Sequence, residues 1–261
     1  MYHQPLDVVP LWGLFLAGLA MAGLALEGGW RLGQWRHPHA AEEKDTPVGA
    51  MVASVLALLA FLLGFTFSLA ASRFDARRQA LLDEANAIGT THLRTRLLPE
   101  PERTEIAGLL REYVDVRVGG VQEGKVAEAV ARSEALHEQL WSRATAAAGK
   151  TPGSIMAGLF IQSLNEVIDL HAKRLFLDVR NRIPLSIWCG LLALAAVGMA
   201  SVGYQAGLSA TRRSPAMFAL VLAFAGVLFM IADLDRPQEG FLRVGQEALI
   251  DLQRSMQSAS P

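Results

Sequence analysis

The 261-residue chain has one cysteine, Cys189, so a disulfide framework and a thiolate zinc cluster are both excluded. Charge of one sign is also lacking. Lys and Arg number 24 against 25 Asp and Glu, and from Ser72 to Pro184 sixteen bases face fifteen acids. Such a balance carries no nucleic-acid footprint. Walker A, dinucleotide-binding, His-Glu-x-x-His and Gly-x-Ser-x-Gly motifs are all missing. Proline and glycine are sparse between Ser72 and Ile183, which leaves little to interrupt helices there.

Apolar residues are what the chain has in quantity: 52% of the total, gathered in blocks. Four blocks are long enough to cross a bilayer, about Val8 to Leu26, Val48 to Ala71, Leu185 to Gly207 and Pro215 to Ala232. This predicts an all-α membrane protein with a first transmembrane hairpin (1–71), a helical cytosolic domain (72–184), a second hairpin (185–232) and a cytosolic tail (233–261). The lead-in Met1 to Asp7 has no Lys or Arg, so the first block reads as a retained helix rather than a signal peptide. Arg73, Arg77, Arg78, Lys173, Arg174, Arg180, Arg182, Arg236 and Arg243 flank the spans on one side; Arg31, Arg36, Lys44, Arg212 and Arg213 occupy the short loops on the other. The bias places both termini and the middle section in the cytoplasm of an inner-membrane protein, with Trp30 and Trp35 at the outer interface.

No proline separates the second span from the charged stretch that follows, so one helix is expected from Val48 to Leu98, roughly 75 Å long. Further helices are expected at about Glu102 to Val118, stopped by Gly119-Gly120, at Gly124 to Ala148, and from Ser154 to Arg182. The end, Ser255 to Pro261, is expected to fray.

At about 100° per residue, Ser54, Ala57, Phe61, Phe65, Ser68 and Ser72 share a stripe about 80° wide on the second span. The rest of that helix is mostly aliphatic: Val55, Leu56, Leu59, Leu62, Leu63 and Leu69, interrupted by Thr66. Serines lining a wet path and two phenylalanines forming an apolar collar would make a pore. Close packing of small residues against another helix explains the same stripe, and from the stripe alone it is the stronger reading. Arg73 and Arg77 could form a charge ring favouring anions. Headgroup anchoring is the stronger reading for these flanking bases. Glu84 and Asn86 are expected to make structural hydrogen bonds or ion pairs between helices.

The segment Phe61-Leu62-Leu63-Gly64-Phe65, with Arg73 beyond it, resembles the pore-lining helix of bestrophins. Arg73-Phe74-Asp75, Glu84-Ala85-Asn86-Ala87-Ile88-Gly89 and Leu109-Leu110-Arg111-Glu112-Tyr113 are similar to prokaryotic bestrophin-like proteins. The resemblance implies a homopentameric ion channel, its partners being copies of itself, the lipid bilayer and inorganic ions, with a neck at Ala57, Phe61 and Phe65. Animal bestrophins carry an acid run after the fourth span that clasps Ca²⁺. Here Asp233-Leu234-Asp235-Arg236-Pro237-Gln238-Glu239-Gly240 lacks that run, and three scattered acids are a poor start for an ion needing six to eight oxygens. No calcium clasp, resident metal, cofactor or catalytic residue is expected. Two other readings remain open: a nonconducting membrane scaffold or signalling partner, and a metalloenzyme built on Glu134 and His137, a Glu-x-x-His pair without the second such pair a di-iron bundle needs.

Overall fold

The computed structural model describes residues 9–37, 48–209, 214–236 and 240–258, and among these every regular element is helical. The helices are α1 (Leu11–Arg36), α2 (Val48–Arg94), α3 (Glu102–Gln122), α4 (Val126–Lys150), α5 (Ile155–Val179), α6 (Leu185–Leu208), α7 (Pro215–Asp235) and α8 (Glu247–Ser258). Helices α1, α2, α6 and α7 are long and apolar enough to cross a membrane. A short 3₁₀ turn, Thr95–Leu97, carries α2 to the prolines that end it. The chain divides into two compact units, and the division falls inside α2: Tyr2–Phe74 with Arg182–Arg243, and Asp75–Asn181 with Val244–Pro261.

In the apolar unit, Leu59, Leu63 and Ala70 of α2 are buried with Trp188, Leu191 and Ala195 of α6 and Leu228 and Ile231 of α7. The aliphatic face of α2 is therefore the face its own bundle covers. Thr66 is buried on that face and donates to the Leu62 carbonyl at 2.8 Å, so its hydroxyl is satisfied within the helix.

Helices α1 and α6 approach closely through glycines that sequence reasoning passed over. A Cβ on Gly29 would overlap the Ala200 carbonyl, and one on Gly33 the Tyr204 carbonyl. From the other helix, a Cβ on Gly203 would overlap the Leu26 carbonyl and one on Gly207 the Trp30 carbonyl. Both helices thus carry Gly-x-x-x-Gly, the spacing that lets transmembrane backbones meet.

In the polar unit, Ile88, Ile106, Leu110, Tyr113, Leu136, Leu140, Phe160 and Leu164 form one core with Leu249 and Met256 of α8. Helices α3 and α5 and the tail differ from expectation, α5 stopping at Val179 rather than Arg182. Helix α3 runs through Gly119-Gly120 to Gln122, because Gly120 is where α3 meets Ala129 of α4 and the backbone turns only at Gly124, φ +70°. The tail contains α8, which docks Leu249 and Met256 on this core; its Ser255 lies within the helix rather than in a frayed end.

Gly203→Ala is expected to destabilise the detergent-purified protein by about 1–3 kcal/mol through overpacking. Gly190→Ala, whose Cβ meets nothing within 4 Å, should leave the melting temperature unchanged. Thermal unfolding of the two variants side by side checks this.

Candidate functional site

All six residues of the α2 stripe, Ser54, Ala57, Phe61, Phe65, Ser68 and Ser72, are exposed on the single chain. Phe61 is 69% and Phe65 66% accessible, while Leu59 and Leu63 on the opposite face are 0% and 3%. Packing within the chain accounts for the aliphatic face and not for the stripe. The Ser54 hydroxyl donates to the Ala50 carbonyl at 2.8 Å, so it needs no further partner to stay in an apolar setting. One flank of the stripe is bulky and exposed, with Met51 and Leu58. The other borders a crevice of about 470 Å³ lined by Ala60, Leu63, Gly64 and Phe67 of α2 and Ala223, Phe224, Val227 and Met230 of α7.

At the end of the span, Arg73 is 16% exposed and lies 3.9 Å from Asp235. Asp235 also accepts from Arg182 Nε and from the Ile183 backbone N–H, both at 3.0 Å. Asp233 accepts from the N–H groups of Phe241 and Leu242 at 2.8 and 3.1 Å. Both carboxylates are thus occupied by protein donors in the segment where animal bestrophins clasp Ca²⁺. Pro237, Gln238 and Glu239 of that segment lie outside the described residues.

Within the polar unit Arg77 is buried, only 2% exposed. Glu84 is fully buried at the centre of an ionic network. It accepts from the Tyr113 hydroxyl at 2.7 Å and from Arg174 Nη1 at 2.6 Å, with Arg117 Nε at 3.4 Å and His171 Nδ1 at 3.6 Å. Burial pushes this carboxyl up, but the His171 contact and the Arg117 and Arg174 charges outweigh it and hold Glu84 well below the usual carboxylate range. Burial, then the Glu84 charge, drive the Tyr113 phenol well above its ordinary value. Burial also raises Asp178, against the pull of Arg174 and Arg77. Glu84 of α2 is thus paired with side chains of α3 and α5, whereas Asn86 is exposed.

His137 and His171 are buried 4.8 Å apart by ring centroids, with Tyr113 beside both. Their meeting has no local sequence signal, since α4 and α5 bring them together. Glu134 is exposed while His137 is buried, so the Glu-x-x-His pair is split between solvent and core. Among the described residues no group of three His, Cys, Asp or Glu side chains is placed to hold a metal ion.

The exposed Phe stripe on the second of four apolar helices and, separately, the Glu84 centre coincide with the segments that carry the family resemblance. The bestrophin-like domain model matches residues 17–249. The chain belongs to the bestrophin-like domain family. A bacterial bestrophin homologue from Klebsiella pneumoniae has the same fold: one point mutant superposes with a TM-score of 0.67 at 14% identity, covering 94% of this chain and 97% of the other. A second structure of that homologue gives 0.64 at 14%, covering 95% and 98%. Another point mutant gives 0.64 at 15%, covering 98% of both chains. No curated protein sequence matches this bestrophin-like chain.

Glu84→Gln is expected to lower stability by about 3 kcal/mol, because Arg117 and Arg174 lose the fully buried charge that both contact. Denaturant unfolding of the purified protein measures it. Addition of Ca²⁺ in the micromolar range is expected to leave stability and flux unchanged, and Asp233→Asn with Asp235→Asn to alter stability without creating calcium dependence.

Proposed function

We propose that this bestrophin-like protein is a homopentameric ion channel of the cell inner membrane, its central pore lined by the second span of each copy. Phe61 and Phe65, with Ala57, form the hydrophobic neck; Ser54, Ser68 and Ser72 line the wet path to either side. The observation that carries this is the exposure of the whole stripe while the opposite face of the same helix is sealed. A lone α2 cannot enclose a path, so the reading requires several copies around an axis. The family of the chain supports it. Both termini lie in the cytoplasm on the basic-residue bias.

The flanks of the stripe suit such a ring. Leu58 and Gly64 sit about 60° to either side of its centre, and neighbours in a ring of about five subunits approach from those directions. Bulky Met51 and Leu58 of one copy then meet the small residues Ala53, Ala57 and Ala60 and the crevice beside Gly64 of the next. The interface is head-to-tail and closes on itself. At the cytosolic end, Arg73 is engaged by Asp235 and Arg77 is buried, so the charge ring they form is muted. Anions are favoured over cations, by a modest margin.

Flux through purified protein in liposomes under a KCl gradient is expected to rise in the Phe61→Ala, Phe65→Ala double variant, with a reversal potential on the anion side. Absence of flux from both folded proteins contradicts the channel and favours the scaffold. In a Cys189→Ser background, Leu58→Cys with Ala60→Cys should oxidise to a ladder ending at five subunits. A ladder stopping at two contradicts the ring.

A further inference from the structure

The Glu84 network explains Tyr113, Arg117 and Arg174, but it leaves the histidine pair over. Tyr113 donates its proton to Glu84, so its oxygen accepts from His171 Nδ1 at 3.0 Å, and that nitrogen carries the hydrogen. His171 Nε2 then has no partner, nor has His137 Nε2, although the two residues are 3% and 7% exposed. Each buried polar atom without a partner costs stability.

The surroundings of His137 are unsuited to a cation. From α3 it faces the Tyr113 ring and the Arg117 guanidinium; from α5 it faces His171. On its own helix Ser133 spends its hydroxyl on the Ala129 carbonyl, and Glu134 and Glu138 are turned to solvent. Glu112 is engaged by Arg132, and Asp115 by Gln253, on the exposed side of α3. Asp169 and Lys173 lie on the exposed side of α5. Among the described residues, the acid that acts on His137 is Glu84 of α2, and its oxygens are already taken by Tyr113, Arg117 and Arg174.

We propose that His137 is a proton-operated latch on α4: its protonation, which finds no free acceptor on α3 or α5, releases α4 from the helical unit at mildly acidic pH. The neutral imidazole, tilted against Tyr113 and edge-on to His171, is the form the core tolerates. The imidazolium is not. Burial, followed by the charge of His171 and opposed by that of Glu84, lowers the pKa of His137 from 6.5 to about 4. A histidine that binds its proton more readily when α4 is free than when it is docked drains stability as pH falls from about 6.5 toward 4. Helix α4 packs mainly on α3 and α5, so it can loosen while the α2, α3 and α8 core persists. The proposal rests on the helical unit alone and stands independently of conduction.

The test is amide hydrogen exchange of the full-length protein at pH 7.5 and pH 5, corrected for the intrinsic pH dependence of exchange. Wild-type α4 is expected to lose protection roughly ten- to thirtyfold at pH 5, with α3 and α8 changing far less. His137→Gln and His137→Phe, neither of which takes up a proton, should flatten that profile whatever their level of protection at pH 7.5. An undiminished acid-induced loss in both variants overturns the proposal. So does a loss that vanishes in His171→Gln but persists in the His137 variants.

Discussion

Helix α2 has two faces of different fate, and the rest of the molecule follows from that division. Leu59, Leu63, Thr66 and Ala70 are sealed against α6 and α7, while the opposite side leaves Phe61 and Phe65 two-thirds bare. In a bilayer, exposed phenylalanine costs nothing against lipid, so exposure alone does not name the neighbour. The serines do more: Ser54, Ser68 and Ser72 align with the phenylalanines on one line. A stripe of hydroxyls interrupted by two aromatic rings suits a wet path with a dry collar.

The apolar unit holds α2 in place by two unlike means. Against α6 and α7 it buries large aliphatic side chains, as a soluble core does. Between α1 and α6 the contact is backbone against backbone, through Gly29, Gly33, Gly203 and Gly207. At the ends of the helices, Asp233 and Asp235 pin the segments after α7 and before α6 by accepting backbone N–H groups, and Asp235 reaches Arg73 on α2. The second unit is organised around a charge instead. Glu84, three turns past the end of the span on the same helix, is met by arginines from α3 and α5. Three helices are thereby registered on one carboxylate.

The four spans, the continuous α2 and the Phe stripe were legible in the sequence because hydropathy and helical periodicity are local properties. What the aliphatic face meets is not legible, because composition distinguishes apolar from polar but not lipid from neighbouring helix. The Gly-x-x-x-Gly spacing in α1 and α6 was present and went unread. Helix α3 overran Gly119-Gly120 because tertiary contact with Ala129 outweighs the helix penalty of glycine. The pairing of His137 with His171, and of Glu84 with Arg174, joins residues 34 and 90 positions apart, beyond any motif. Helix α8 is short and follows Gly240 and Gly245, so it read as tail.

In the proposed channel the stripe of α2 faces a central axis shared by several copies. Electron cryomicroscopy of the protein in lipid nanodiscs tests it most directly. The account predicts five-fold particles with α2 innermost and the Phe61 and Phe65 rings closest to the axis. Particles of one or two copies, or a ring in which these phenylalanines point outward to lipid, would contradict it.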